Sequence, residues 1–139
     1  MEHAMKIIQP KLLAAYRLPG PCEYCRKPCK RREPAHLLSR GAGGSDLDCN
    51  LVALGSTLHW ACPCHTNSHA GKSPTTAELL AVVAARERVA ADTIMDVLYF
   101  VRRLDKGLSA ERIEEALKEP EGAAVVLARK ELIQAGVIA

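Results

Sequence analysis

Cysteine and histidine are crowded into one third of this chain. All six cysteines (Cys22, Cys25, Cys29, Cys49, Cys62, Cys64) and four of the five histidines (His36, His59, His65, His69) lie between residues 22 and 69 of 139. Such crowding fits two kinds of fold, a secreted scaffold of three disulfides or a domain organised by metal. The first eighteen residues carry Glu2, His3, Lys6, Lys11 and Arg17 among their apolar positions, so no uninterrupted signal-peptide segment is expected. The seventy residues after His69 contain no cysteine. Interleaved Cys and His therefore read as metal ligands in a cytoplasmic protein. The longest apolar run, Leu79 to Ala85, is too short to span a bilayer, and no membrane partner is expected.

Spacing divides these residues into two sets. Cys22-Glu-Tyr-Cys25 is a C-x-x-C knuckle, which lets two thiolates meet one zinc while turn amides hydrogen-bond the sulfurs. Cys62-Pro-Cys64 is the expected second pair of a four-thiolate structural zinc site, with Cys29 able to replace one member. Cys49 reads as a small buried residue. His65 and His69 stand four apart, so on a helix both imidazoles share one face and can hold one ion. Taken alone, the pair reads more often as surface histidines near a helix C-terminus than as ligands.

Charge is uneven. Residues 1–50 carry nine Lys/Arg against five Asp/Glu, and the excess peaks at Arg26, Lys27, Lys30, Arg31 and Arg32. Such a cluster suits a phosphate backbone or simply a solvated loop. With 4% aromatic residues, binding by several stacked aromatics is not expected.

The pattern divides the chain into an N-terminal arm (1–21), a central Cys/His core (22–72) and a C-terminal helical region (75–139), an α+β fold. The arm reads as an amphipathic helix broken at Pro10. Ala35–Ser39 and Leu51–Leu54 read as short strands around a glycine turn, Arg40 to Gly44, whose glycines permit positive φ. A short helix is expected from Cys62 or Pro63 to Gly71. Four helices follow. Thr75 with Glu78 caps the first, Asp92 the second and Ser109 the third. The fourth runs from about Ala123 to Ala135. Ile94, Val97, Leu98, Val101 and Leu104 form the apolar face of the second, and Gly107 is its stop.

The run from His36 through Arg40-Gly-Ala-Gly-Gly to Asp46, then Asn50-Leu-Val-Ala-Leu54, then Cys64-His65 and His69-Ala-Gly-Lys72, resembles the HNH endonuclease motif with a flanking zinc knuckle, as in bacterial and phage members. The resemblance covers about residues 22–72. It implies a beta-beta-alpha-metal finger: two strands, a loop and a helix. It implies that His36 is the general base on the attacking water, for which an imidazole is suited. It further implies that Asn50 fastens the loop and that His65 and His69 hold a divalent cation (Mg2+, Mn2+, Ni2+ or Zn2+). DNA is the implied substrate, cut to 5′-phosphate and 3′-hydroxyl ends, with Arg40, Lys30, Arg31 and Arg32 on flanking phosphates. The position before the base, usually acidic or His, is Ala35, and Glu33 is the substitute carboxylate. Gly55 stands where a zinc cysteine is often found, and His59 reads as a further ligand or as a residue packed on Trp60. The alternative is a zinc-stabilised DNA-binding module without the chemistry. A third reading is a structural zinc domain. In each, the C-terminal helices offer a surface for a second copy of the chain or a phage or host protein.

Overall fold

A computed structural model describes residues 5–56, 62–104, 107–119 and 122–139. His59 and Trp60 lie outside these residues. The fold is α+β, with six α-helices and two small antiparallel sheets among the described residues.

The arm forms helix α1, Pro10–Tyr16. Pro10 opens this helix rather than breaking it, because a first-turn residue needs no N–H and its ring already sets a helical φ. Ahead of α1 the chain is tied to the core by backbone: the Met5 amide donates to the Leu104 carbonyl (2.7 Å) and the Asp46 amide to that of Ile7 (2.8 Å).

Strands β1 (Gly20–Pro21) and β2 (Pro28–Cys29) pair across the cysteine knuckle. Strand β3 (Arg32–His36) pairs antiparallel with β4 (Leu51–Gly55), in register from Arg32 opposite Gly55 to His36 opposite Leu51. The first strand thus begins three residues earlier than its apolar pattern indicated and ends at His36. All five residues of β4 are buried, which suits its continuous apolar run. Between the strands, Ser39 caps a 3-10 turn over Arg40–Ala42, and a second spans Asp48–Asn50. Of the loop glycines, only Gly43 is left-handed (φ 92°). Gly44 is required for space instead: a Cβ there would lie 1.7 Å from the Leu38 carbonyl oxygen.

Helix α2 (Cys64–His69) follows Pro63. Helix α3 (Thr76–Glu87) starts with the expected capping box of Thr75 and Glu78. Helix α4 (Ala91–Arg103) follows Ala90 without a side-chain cap; Asp92, expected as the cap, lies within the first turn instead, where its charge suits the helix dipole. It ends at Arg103, before Gly107. Helix α5 (Ala110–Ala116) has Ser109 as its cap, and α6 (Ala123–Gln134) ends two residues before left-handed Gly136. The expected face of α4 is fully turned inward, with Ile94, Val97, Leu98, Val101 and Leu104 all buried. Buried residues of the central segment (Leu47, Val52, Leu54) and of the helices (Val83, Ile94, Ile113, Leu132) form one continuous apolar core. Among the described residues, no helix is long and apolar enough to cross a membrane.

Candidate metal centre and histidine cleft

The four cysteines expected to pair come together. The Sγ atoms of Cys22, Cys25, Cys62 and Cys64 all lie within 4.8 Å of one another, and those of Cys25 and Cys62 are 3.4 Å apart. A tetrahedron of Zn–S bonds of about 2.3 Å needs sulfurs roughly 3.8 Å apart, so this donor set fits zinc. The knuckle is shaped by its backbone. Arg26 adopts left-handed φ (67°), the Arg26 amide donates to the Cys22 carbonyl (2.9 Å) and the Cys22 amide donates to that of Lys27 (2.9 Å). Burial raises the Cys22 pKa, but the amides of Cys25, Gly55 and Tyr24 aimed at its sulfur outweigh this and bring it down to about 7. Burial pushes the Cys25, Cys62 and Cys64 thiols up. Packed thiols of this kind ionise together only around a cation.

Cys29 and Cys49 stand outside the four. The Cys29 thiol donates to the Lys27 carbonyl (3.3 Å). Cys49 is fully buried, and its thiol is pushed well up by burial and then by Glu131. At Gly55 a Cβ would lie 2.2 Å from the Cys62 sulfur and 2.8 Å from that of Cys29, so this position has no room for a side chain.

His36, at the end of β3, is fixed by a buried carboxylate. Its Nε2 lies 2.8 Å from Oδ1 of Asp46, which is fully buried. Arg40 Nη2 lies 2.7 Å from Asp46 Oδ2, and the Gln9 amide donates to the same oxygen (2.9 Å). Burial raises the Asp46 pKa, but hydrogen bonds from Arg40, His36 and Gln9 outweigh it and hold the carboxyl below the usual range. A carboxylate at Nε2 selects the tautomer with hydrogen on that nitrogen, leaving the Nδ1 lone pair to accept a proton. Nδ1 has no direct hydrogen-bond partner among the described residues.

Asn50 is fully buried and closes the loop. Its Oδ1 accepts from the Leu38 amide (2.8 Å), and its Nδ2 donates to the carbonyls of Leu38 (2.9 Å) and Ser45 (2.8 Å). It thus clamps both ends of the glycine turn without touching His36.

On α2, the Nε2 atoms of His65 and His69 are 3.1 Å apart, with ring centroids at 4.5 Å. Two nitrogens at this separation can face one ion. Burial, then the neighbouring His69, lowers the His65 pKa, partly offset by Glu33. This favours the neutral imidazole, the form that ligates metal. Glu33 itself is ion-paired with Arg17 (3.1 Å) and Arg31 (3.5 Å). His69 and His36 both line one open cleft of about 580 Å³, with Ala35, Leu38, Arg40, Ala42 and Ser68.

The basic residues fall into two groups. Lys30 and Arg31 are exposed. Arg32 is spent on structure, donating to the Leu18 (2.6 Å) and Pro21 (3.1 Å) carbonyls.

Three residues of this framework receive no role from the sequence alone, although Asp46 stands inside the motif-like run. Asp46 ends the glycine run, and a carboxylate ten residues after a histidine, across a tight loop, was the clue to it. Arg86 of α3 makes two hydrogen bonds to Glu23 (3.0 and 2.9 Å) and also donates to the Leu51 carbonyl (2.9 Å), joining the knuckle to β4. Glu131 of α6 accepts from the amides of Asp48 (3.1 Å) and Cys49 (3.2 Å). Both lie in helices whose periodicity announces only packing. Neither a family model, a curated protein nor a solved structure matches the chain.

Proposed function

We propose that this chain is a metal-dependent endonuclease of HNH type that hydrolyses DNA phosphodiesters. The observation that carries this reading is the shared cleft: His36, locked on buried Asp46, and His69, paired with His65, line the same opening. In this reading His36 Nδ1 accepts a proton from water as its oxygen bonds to phosphorus. The bond from phosphorus to the 3′ oxygen breaks, and the leaving oxygen takes a proton from a solvent water, giving 5′-phosphate and 3′-hydroxyl ends. Asp46 stabilises the imidazolium that results and keeps the ring in one orientation. Asn50 holds the loop that carries Arg40. A divalent cation held by His65 and His69 would neutralise charge on the phosphate and the leaving oxygen. The cysteine cluster serves structure in this reading, being closed by four protein ligands.

A second reading, a DNA-binding module without hydrolysis, is favoured by one observation. Ala35 brings no ligand to the cleft, and the nearby Glu33 carboxylate is engaged by Arg17 and Arg31. Incubation with supercoiled plasmid and Mg2+, Mn2+ or Ni2+ separates the two. Metal-dependent nicking is expected, reduced by about 10²–10⁴-fold in His36→Ala. Retardation of the plasmid without cutting, by a folded and zinc-loaded chain, overturns the nuclease in favour of the binding module.

A further inference from the structure

We infer that Lys6, Arg40 and Arg102 form a cationic rim on the His36 cleft that grips backbone phosphates of a DNA strand, an inference that rests on the nuclease reading for its ligand. The three come from separate segments: the stretch before α1, the glycine turn and the last turn of α4. They meet on one loop. Lys6 Nζ donates to the Arg40 carbonyl (2.8 Å), and Arg102 Nη1 donates to the Ala42 carbonyl (3.3 Å). Arg40 and Ala42 both line the cleft that His36 and His69 line.

What sets these cations apart is what holds them. Many other basic side chains are neutralised by carboxylates: Arg17 and Arg31 by Glu33, Arg86 by Glu23, Arg129 by Glu114 and Lys130 by Glu87. Lys6 and Arg102 form no ion pair among the described residues and rest on carbonyl oxygens, which orient a cation without cancelling its charge. Arg40 does face a carboxylate, but Asp46 also serves His36 and is buried. The guanidinium of Arg102 is steadied by the Tyr99 ring, 5.1 Å away. Each cation is thus held in place with N–H donors to spare, the state in which a phosphate is bound with little ordering cost. Phosphate contacts carry no base information, so the rim sets position and affinity on the duplex.

Salt dependence of DNA binding tests this. The zinc-loaded full chain is titrated onto a fluorescent 20-base-pair duplex, without divalent cation, at salt concentrations between 50 and 200 mM. Each phosphate contact contributes about 0.9 to the slope of log affinity against log salt. Lys6→Gln and Arg102→Gln should each lower the slope by about that amount. That makes each variant's defect roughly 3.5-fold larger at 50 mM than at 200 mM. Arg102→Lys should restore the slope, and Lys118→Gln, just past the end of α5 and outside the cleft lining, should leave it unchanged. A wild-type chain that does not bind the duplex overturns the rim. So do variants whose affinity falls equally at every salt concentration, since mere support of the loop moves affinity and not slope. Plasmid cutting reports separately: cutting with unaltered slopes sinks only the rim, whereas slope loss without cutting keeps the rim and sinks the nuclease.

Discussion

The cysteine cluster and the histidine pair share six residues of helix and differ in almost everything else. Cys64 opens α2 and turns into the protein, with Cys22 and Cys62 buried beside it. His65 is the next residue, and it is paired with His69, which lines a cleft. One donor set is saturated by four sulfurs, and the other offers two nitrogens and leaves positions open. Closed sites hold structure, and open ones are where a metal can meet a substrate. A six-residue helix has no independent stability, so the direction of the histidines is set by what anchors the helix at its first residue. On this geometry the arrangement of the histidine pair should depend on the cysteine cluster, and not the reverse.

Removing the zinc site is the largest perturbation of that asymmetry. Structural zinc contributes about 10–16 kcal/mol of apparent binding free energy to small domains. Cys22→Ser, or a strong chelator, should therefore unfold the segment from the knuckle through α2 and disperse the histidine pair with it. Zinc stoichiometry, circular dichroism and the NMR signals of the His65 and His69 rings report this directly. His65→Ala with His69→Ala should leave zinc content and melting temperature where they were. Loss of zinc from the double histidine variant, or a knuckle variant that keeps native ring signals, breaks the one-way dependence.

Two glycines allow each site to be struck by a single methyl group. Gly55→Ala places a Cβ 2.2 Å from the Cys62 sulfur, and Gly44→Ala places one 1.7 Å from the Leu38 carbonyl oxygen beside the loop that carries Arg40. Overpacking of this kind costs about 1–3 kcal/mol, or roughly 5- to 150-fold in an equilibrium. Gly55→Ala should appear as weakened zinc retention against a competing chelator. Gly44→Ala should leave zinc retention alone and reduce cleft function. Gly41→Ala, where nothing lies within 4 Å, is the matched control and should change neither by more than about 0.5 kcal/mol. Equal zinc loss in the Gly55 and Gly44 variants would show the two sites to be less separable than their geometry indicates.

Much of this was legible in the sequence because the signals are local. The C-x-x-C spacing and Cys62-x-Cys64 name their own partners, since few other donors exist. The Thr75–Glu78 box and the 3.6-residue stripe from Ile94 to Leu104 are read within one helix. What could not be read depends on chain reversal. Nothing in the arm says that Gln9 and Ile7 will seat against Asp46 and Ser45, or that Pro10 opens a helix once its neighbours are pinned there. The start of β3 was masked because Arg32 and Glu33 read as loop charge. In the fold they are spent on backbone carbonyls and ion pairs. Glu131 is the extreme case, a charged residue in an amphipathic helix that is buried and serves a loop more than eighty residues away.

That residue offers the mildest way to sharpen the comparison, since it holds the turn that carries Asn50 by the Asp48 and Cys49 amides. Burial, followed by repulsion from Asp48 and Glu87, raises the Glu131 pKa from 4.5 to about 7. The folded chain therefore holds this proton at pH values where the unfolded chain has released it. The associated stability is complete below the unfolded pKa and is lost as pH rises through about 7, the curve levelling about one pH unit above that. Over pH 5.5–7, where the thiolates still hold zinc, the wild type should lose about 1.5 kcal/mol relative to Glu131→Gln. The variant keeps an acceptor oxygen for one of the two amides and, like the protonated carboxyl, carries no charge. Urea midpoints for the two proteins, both zinc-loaded, should converge at the acid end and separate toward neutrality. Parallel curves would mean that water or a counter-charge relieves the carboxylate, and that the helices hold the loop by packing alone.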